Sequence, residues 1–267
     1  MVLWMLNIKI TYTILTILLS QIAFSQQDYK SVLDSLQATD TLTNTTEIET
    51  YYQNNKGNNL PSQSIGTPGK GSLKNGKLIP FKGKNFTYFD TQSYLNGRAF
   101  LNGKVLETLL KAYKEFETLL PSRLFYVMEC SNQDGGKLFP HRTHQNGLSV
   151  DFMMPLIKDN KPFYGLDTLG ADHYFLEFDN SGKYKENPSI SIDFNLVAQH
   201  ILVLNKMAKI MGVNITKVII NTDLKDELFA THYGKTLKTS GVYVVQKLSP
   251  LINSLHDDHY HIDFGVK

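Results

Sequence analysis

The sequence predicts an α+β fold in which helices pack against a sheet, and three observations carry that prediction. Leu148, Val150 and Phe152 alternate with Ser149, Asp151 and Met153, the period-2 pattern of a strand with one buried face. His259, Tyr260, His261, Ile262, Asp263 and Phe264 alternate polar with apolar in the same way. Residues 103–120 and 193–211 instead space their apolar side chains as one face of a helix does. The chain has 267 residues, 42% of them hydrophobic, enough for one larger domain or two small ones with a real core.

Residues 1–25 combine Lys9, an apolar run over 10–22 and Ala23-Phe24-Ser25, which reads as a secretory signal peptide cleaved after Ser25. The run is shorter than the ~20 residues that span a bilayer, so no integral membrane domain is expected after cleavage. An uncleaved N-terminal anchor is the alternative. Residues 26–61, rich in Thr, Asn, Gln and Ser, read as a flexible linker with room for a short helix over 29–37, and the folded domain is placed at 62–267. Thr67-Pro68-Gly69-Lys70-Gly71 lacks the spacing of a phosphate loop and reads as a surface turn.

Val105, Leu106, Leu109, Leu110, Tyr113, Phe116, Leu119 and Leu120 make the 103–120 helix a core-packing one, with Pro121 beyond its end. A strand follows over 123–128, and the Asn146-Gly147 turn leads into the strand over 148–154. Phe194, Val197, Ile201, Leu204, Ala208 and Met211 face the core from the second helix, with Gly212 as its stop. Residues 216–221 read as a strand and 223–233 as a shorter helix. Loops over 159–187 are where a cleft would take its shape.

Charge gives little direction. The 27 basic residues against 25 acidic become 26 against 25, or +1, once Lys9 leaves with the signal, so no basic face for nucleic acid is implied. Cys130 is the one cysteine, which rules out an internal disulfide and reads as a buried small residue.

Five of the eight histidines fall in two stretches, His141-Arg142-Thr143-His144 with Asp151 after the turn, and His256-Asp257-Asp258-His259-Tyr260-His261. Imidazole and carboxylate are the ligand types zinc takes in hydrolytic sites, where three protein ligands leave a coordination position open. His144 before the Asn146-Gly147 turn and Asp151 after it can fold back onto one metal. His259 and His261 project from one strand face, so that one can bind metal while its neighbour does proton chemistry. His200 reads as structural, and His173 and His232 have no partner at ligand spacing.

The pattern His141-x-x-His144-x-x-Gly147-x-x-x-Asp151, followed by His256-x-x-His259-x-His261, resembles the penicillin-insensitive murein endopeptidases, metallopeptidases related to the D-alanyl-D-alanine carboxypeptidases and the Hedgehog zinc domain. Ser64-Ile65-Gly66, Asn75-Gly76 and Val218-Ile219-Ile220-Asn221 extend the likeness from about residue 60 to the C-terminus. The resemblance implies a Hedgehog/D,D-peptidase-like fold, with a mostly antiparallel sheet carrying a zinc site and helices flanking it. It implies a zinc-dependent periplasmic enzyme that cuts D-Ala-meso-diaminopimelyl crosslinks of peptidoglycan. His144, Asp151 and His261 would hold the metal, with His141 a fourth ligand or an adjacent donor. No His-Glu-x-x-His or Glu-x-x-His pattern offers a glutamate base, so His259 is the first choice for base and proton shuttle. His256 is the second choice, for proton transfer or as a donor to the oxyanion. Asp257, Asp258 and Asp263 are candidates to orient a histidine, or plain turn residues. An Asp-x-x-His pair that can hold a second metal in some relatives corresponds here to Ser181-Gly182-Lys183-Tyr184, which offers no good zinc ligand, so one zinc per chain is expected. A D,D-carboxypeptidase and a non-catalytic, zinc-stabilised wall-binding protein are the alternatives.

Overall fold

The structure is a computed structural model that describes residues 44–266. The signal expected over 1–25 and the short helix expected over 29–37 lie outside the described residues. Two compact units divide between residues 50 and 51. In the first, the described residues 44–50 are helical; in the second, the helical stretch runs to residue 55 (α1, 44–55). The segment expected as linker thus contains regular structure in its described part, and Tyr51 sets its ring edge-on to Tyr94 at 5.7 Å.

From Gln63 the chain forms an antiparallel hairpin, β1 (Gln63–Thr67) and β2 (Lys70–Lys74), whose turn is the Thr67–Lys70 stretch expected at the surface. Two short strands, β3 (Lys77–Leu78) and β5 (Phe100–Leu101), pair with each other; between them lie β4 (Phe86–Tyr88) and α2 (Thr91–Leu95). The first long helix, α3 (Gly103–Leu119), starts at Asn102, whose side chain accepts from the Lys104 N–H, and ends before Pro121 as expected. The strand β6 (Phe125–Val127) follows, and a long loop carrying the first histidine pair leads to β7 (Ser149–Met153).

Beyond β7, β8 (Leu156–Lys158), β9 (Lys161–Phe163) and β10 (Ile190–Ile192) form a small antiparallel sheet, and a 3-10 turn over Gly170–Phe175 lies between β9 and β10 in the chain. Asp193 caps the second long helix, α4 (Phe194–Ile210), and Gly212 at φ +68° ends it, the latter as the sequence predicts. After β11 (Val213–Ile219) the single helix expected over 223–233 is instead a 3-10 turn, α5 (Lys225–Ala230) and α6 (His232–Thr239). Thr231 causes the break, because its hydroxyl accepts from the Gly234 N–H and starts a new helix there. A short α7 (Pro250–Ser254) precedes the last strand, β12 (His259–Val266).

The central sheet runs β11-β12-β7-β6-β4, antiparallel except for the parallel β6–β4 pair. Its helix side is an aromatic core in which Phe152 stacks on Tyr260 at 5.5 Å. His200 of α4 packs among Phe116, Phe125 and Phe152 there and bonds the Tyr260 hydroxyl through Nδ1 at 2.7 Å. That is the structural role expected of it. On the other side, register pairs His261 with Asp151, Asp263 with Ser149 and His259 with Met153. The sequence predicts β7 as half-buried, yet all five of its residues are buried, because the histidine loop and the 3-10 turn lie over its polar face.

Candidate metal centre and active site

Adjacent strands set the floor of the site. The pairing of β7 with β12 puts Asp151 and His261 opposite each other, and His261 Nδ1 lies 2.8 Å from Asp151 Oδ1. The histidine loop closes from above. Its turn needs Gly147 at φ +72°, where a Cβ would come within 2.7 Å of the Asn102 nitrogen. His144 itself adopts φ +66°, a region an ordinary side chain occupies only when its surroundings hold it there. Backbone bonds do the holding: Gln145 N–H donates to Pro68 O in the hairpin turn, and Gly136 N–H to Gln145 O.

His144 Nδ1 lies 2.5 Å from the Cys130 carbonyl. A carbonyl can only accept, so the ring proton sits on Nδ1 and the Nε2 lone pair faces inward. That Nε2 is 3.2 Å from Asp151 Oδ2 and 3.1 Å from His261 Nδ1. His141 Nδ1 approaches the same carboxylate oxygen at 3.5 Å. The four residues expected as ligands therefore converge on one point, and in His141, His144 and Asp151 the ligand atoms all lie within 4.8 Å of one another.

The donor set fits a metal on an observation independent of spacing. Asp151 Oδ2 is fully buried and makes no well-aligned hydrogen bond, a costly state for a carboxylate oxygen that a cation would relieve. A tetrahedral ion with ligand bonds of ~2.0–2.1 Å separates its ligand atoms by about 3.3 Å, close to the separations seen here. Burial would raise the Asp151 pKa, but the His144 and His261 imidazoles beside it hold the carboxyl well below its usual range. In His141 burial itself is the depressing cause, taking the imidazole down to about 3. His261 goes the other way, up to about 9, because hydrogen bonds to Asp151 and Asp263 outweigh its burial.

Behind His261 the support is also charged. Its Nε2 is 2.8 Å from Asp263 Oδ1, which also accepts from Ser149 Oγ, while Lys217 Nζ holds Asp263 Oδ2 at 2.8 Å. With a proton fixed on Nε2, Nδ1 is the atom turned to the metal point. Asp263, a weak candidate from sequence, is thus a direct partner of His261.

His259 Nδ1 bonds Asp258 Oδ1 at 2.9 Å, which fixes its proton on Nδ1 and leaves the lone pair on Nε2. Burial depresses its basicity, and the Asp258 carboxylate more than offsets this. His256 stacks near it, ring centroids 4.9 Å apart, with its Nδ1 proton committed to the Ile252 carbonyl. Burial lowers His256 to about 4, so it is neutral and presents an acceptor. Asp257 instead accepts from the Phe178 N–H.

The family profile of the penicillin-insensitive murein endopeptidases matches residues 64–265. The chain belongs to that family. No curated protein matches it. As a penicillin-insensitive murein endopeptidase family member it is a peptidase, a hydrolase, and its His141, His144 and Asp151 group could hold a metal ion. Among the described residues no helix is long and apolar enough to cross a membrane.

His173 and His232 both lie outside the metal group. His173 is fully buried between the Leu166 and Asp258 carbonyls, tying the 3-10 turn to the His259 segment, while His232 is exposed at the start of α6. Ser181 and Tyr184 are engaged in their own turn, with Asp179 and Glu186. Sequence reasoning missed Tyr174, whose ring meets His259 at 5.2 Å and His141 at 6.2 Å. It also missed Glu129, whose carboxylate binds Arg98 Nε at 2.6 Å while Arg98 holds the Phe139 carbonyl of the histidine loop. A lone tyrosine or glutamate has no spacing that marks it in a sequence.

Proposed function

We propose that the protein is a zinc-dependent endopeptidase that hydrolyses the D-Ala-meso-diaminopimelyl crosslinks of peptidoglycan in the periplasm, exported through a signal peptide at residues 1–25. The observation that carries this reading is the convergence of His141 and His144 on the buried, unsatisfied Oδ2 of Asp151, with His261 on the other oxygen of the same carboxylate, in a murein endopeptidase family chain. His144, Asp151 and His261 would hold one zinc ion, with His141 beside Asp151 as fourth ligand or adjacent donor. Zinc there supplies Lewis-acid polarisation of the scissile carbonyl and lowers the pKa of water towards about 7.

The chain's own residues supply proton transfer and orientation. His259 Nε2 takes the proton of the attacking water, Asp258 stabilises the imidazolium through Nδ1, and the same Nε2 returns the proton to the leaving amine. The C–O bond forms as the carbonyl π bond opens to a tetrahedral oxyanion, and collapse of that oxyanion breaks the peptide C–N bond as the amine takes the proton. His256 presents an acceptor to this neighbourhood and is the second choice for proton transfer; in the neutral form described it has no proton to give an oxyanion.

Purified crosslinked muropeptide dimers, digested and analysed by mass, test the reading. Metal-loaded protein releases monomers; chelated protein and a His259→Ala variant that still binds metal do not. Trimming of free pentapeptides with intact dimers would replace the endopeptidase by a D,D-carboxypeptidase. Wall binding without hydrolysis of either would leave a non-catalytic binding protein.

A further inference from the structure

The Tyr174 ring, carried by the 3-10 turn over Gly170–Phe175, is only half-buried, but its hydroxyl is fully buried and has no hydrogen-bond partner. The hydroxyl therefore points inward. The ring stands edge-on to His259 at 83° and to Phe89 at 84°, and tilts against His141 at 64°, so three walls fix its direction. His173, the preceding residue, anchors the turn to the Asp258 carbonyl, the backbone of the segment that carries His259.

The chemistry of the site leaves a place for such a group. Hydrolysis turns a carbonyl oxygen into an oxyanion, which needs donors aimed where the charge develops. His256 has its proton tied to Ile252 O, Arg98 is spent on Glu129 and Phe139 O, and Arg142 is exposed. A phenolic O–H is a hydrogen-bond donor at neutral pH, and the buried, unpartnered Tyr174 hydroxyl has none of that capacity spent.

We infer that Tyr174 is a catalytic residue of the peptidase reaction, its buried and unpartnered hydroxyl donating a hydrogen bond to the substrate carbonyl oxygen as it becomes the tetrahedral oxyanion. This rests on the peptidase reading above and adds a residue to it. The hydroxyl donates without giving up its proton, so water, His259 and the leaving amine still account for every proton transferred.

Tyr174→Phe keeps the ring and its packing while removing the donor. On crosslinked dimers the variant is expected to lose about 10²–10³-fold in kcat, with KM little changed and zinc stoichiometry and affinity equal to wild type. An unchanged kcat, or a loss of zinc affinity that makes the residue a ligand, would overturn the inference. A phosphinate analogue of the crosslink, which carries a tetrahedral anionic centre, gives a second readout that needs no turnover. Wild type should bind it at least ~10-fold more tightly than Tyr174→Phe, the factor that about 1.4 kcal/mol represents; equal binding, or none by wild type, would overturn the inference. Failure of wild type to cleave dimers while this discrimination persists would sink the substrate assignment and leave Tyr174 standing.

Discussion

Asp258 decides what His259 can do, since it accepts from Nδ1 and so sets the tautomer and steadies the cation. Asp258→Asn should keep the metal and the fold but lose about 10²–10⁴-fold in kcat; measured turnover within a few-fold of wild type would remove Asp258 from the account. Asp167 makes a separate prediction about stability. Burial raises its pKa from 3.8 to about 7, with Arg123 pulling weakly the other way. The folded chain therefore keeps a proton there that the unfolded chain has already lost between those two values. The contribution of Asp167 to stability falls as pH rises through that window, by up to roughly 4 kcal/mol, and is flat above about pH 7. Asp167→Asn should remove this slope in denaturant unfolding measured from pH 5 to 7.5, and an unchanged slope would refute the assignment. At this scale the clustering of His141, His144, Asp151 and His261 was legible because metal chemistry restricts both residue type and spacing. Asp167 and Tyr174 were not, because burial that creates their properties comes from segments distant in sequence.

The histidine loop is an element held at both ends. Gly147 turns it, and Gly147→Ala should destabilise the protein by about 1–3 kcal/mol, since it adds a Cβ at positive φ against Asn102. Arg98 holds its Phe139 end, and Arg98→Ala should cost about 3 kcal/mol by leaving the Glu129 carboxylate buried and unpaired. Urea unfolding measures both, and an effect below ~0.5 kcal/mol for either would contradict the loop's described supports. The long helices α3 and α4 were readable because each keeps its apolar face over 17 residues and has Pro121 or Gly212 beyond its end. Short elements were not. The three-stranded sheet of β8, β9 and β10 has strands of three residues each, too brief for any period to show, and Thr231 looks like a helical residue until its cap is seen. Strand β7 read as half-buried because sequence cannot say what lies over a polar face.

Across the whole molecule, one ion would tie the histidine loop to the β7–β12 pair, elements that otherwise meet through a few hydrogen bonds and an under-satisfied carboxylate. Zinc at 100 times its Kd should then stabilise the folded chain by about 2.7 kcal/mol, seen as a raised melting temperature that Asp151→Ala abolishes. The most direct test of the account is to strip the protein with chelator, return zinc in fractions of an equivalent and follow monomer release from crosslinked muropeptide dimers. Activity absent from the stripped protein and fully restored at one equivalent is the predicted result. Undiminished cleavage by the stripped protein, or a requirement for two equivalents, would contradict it.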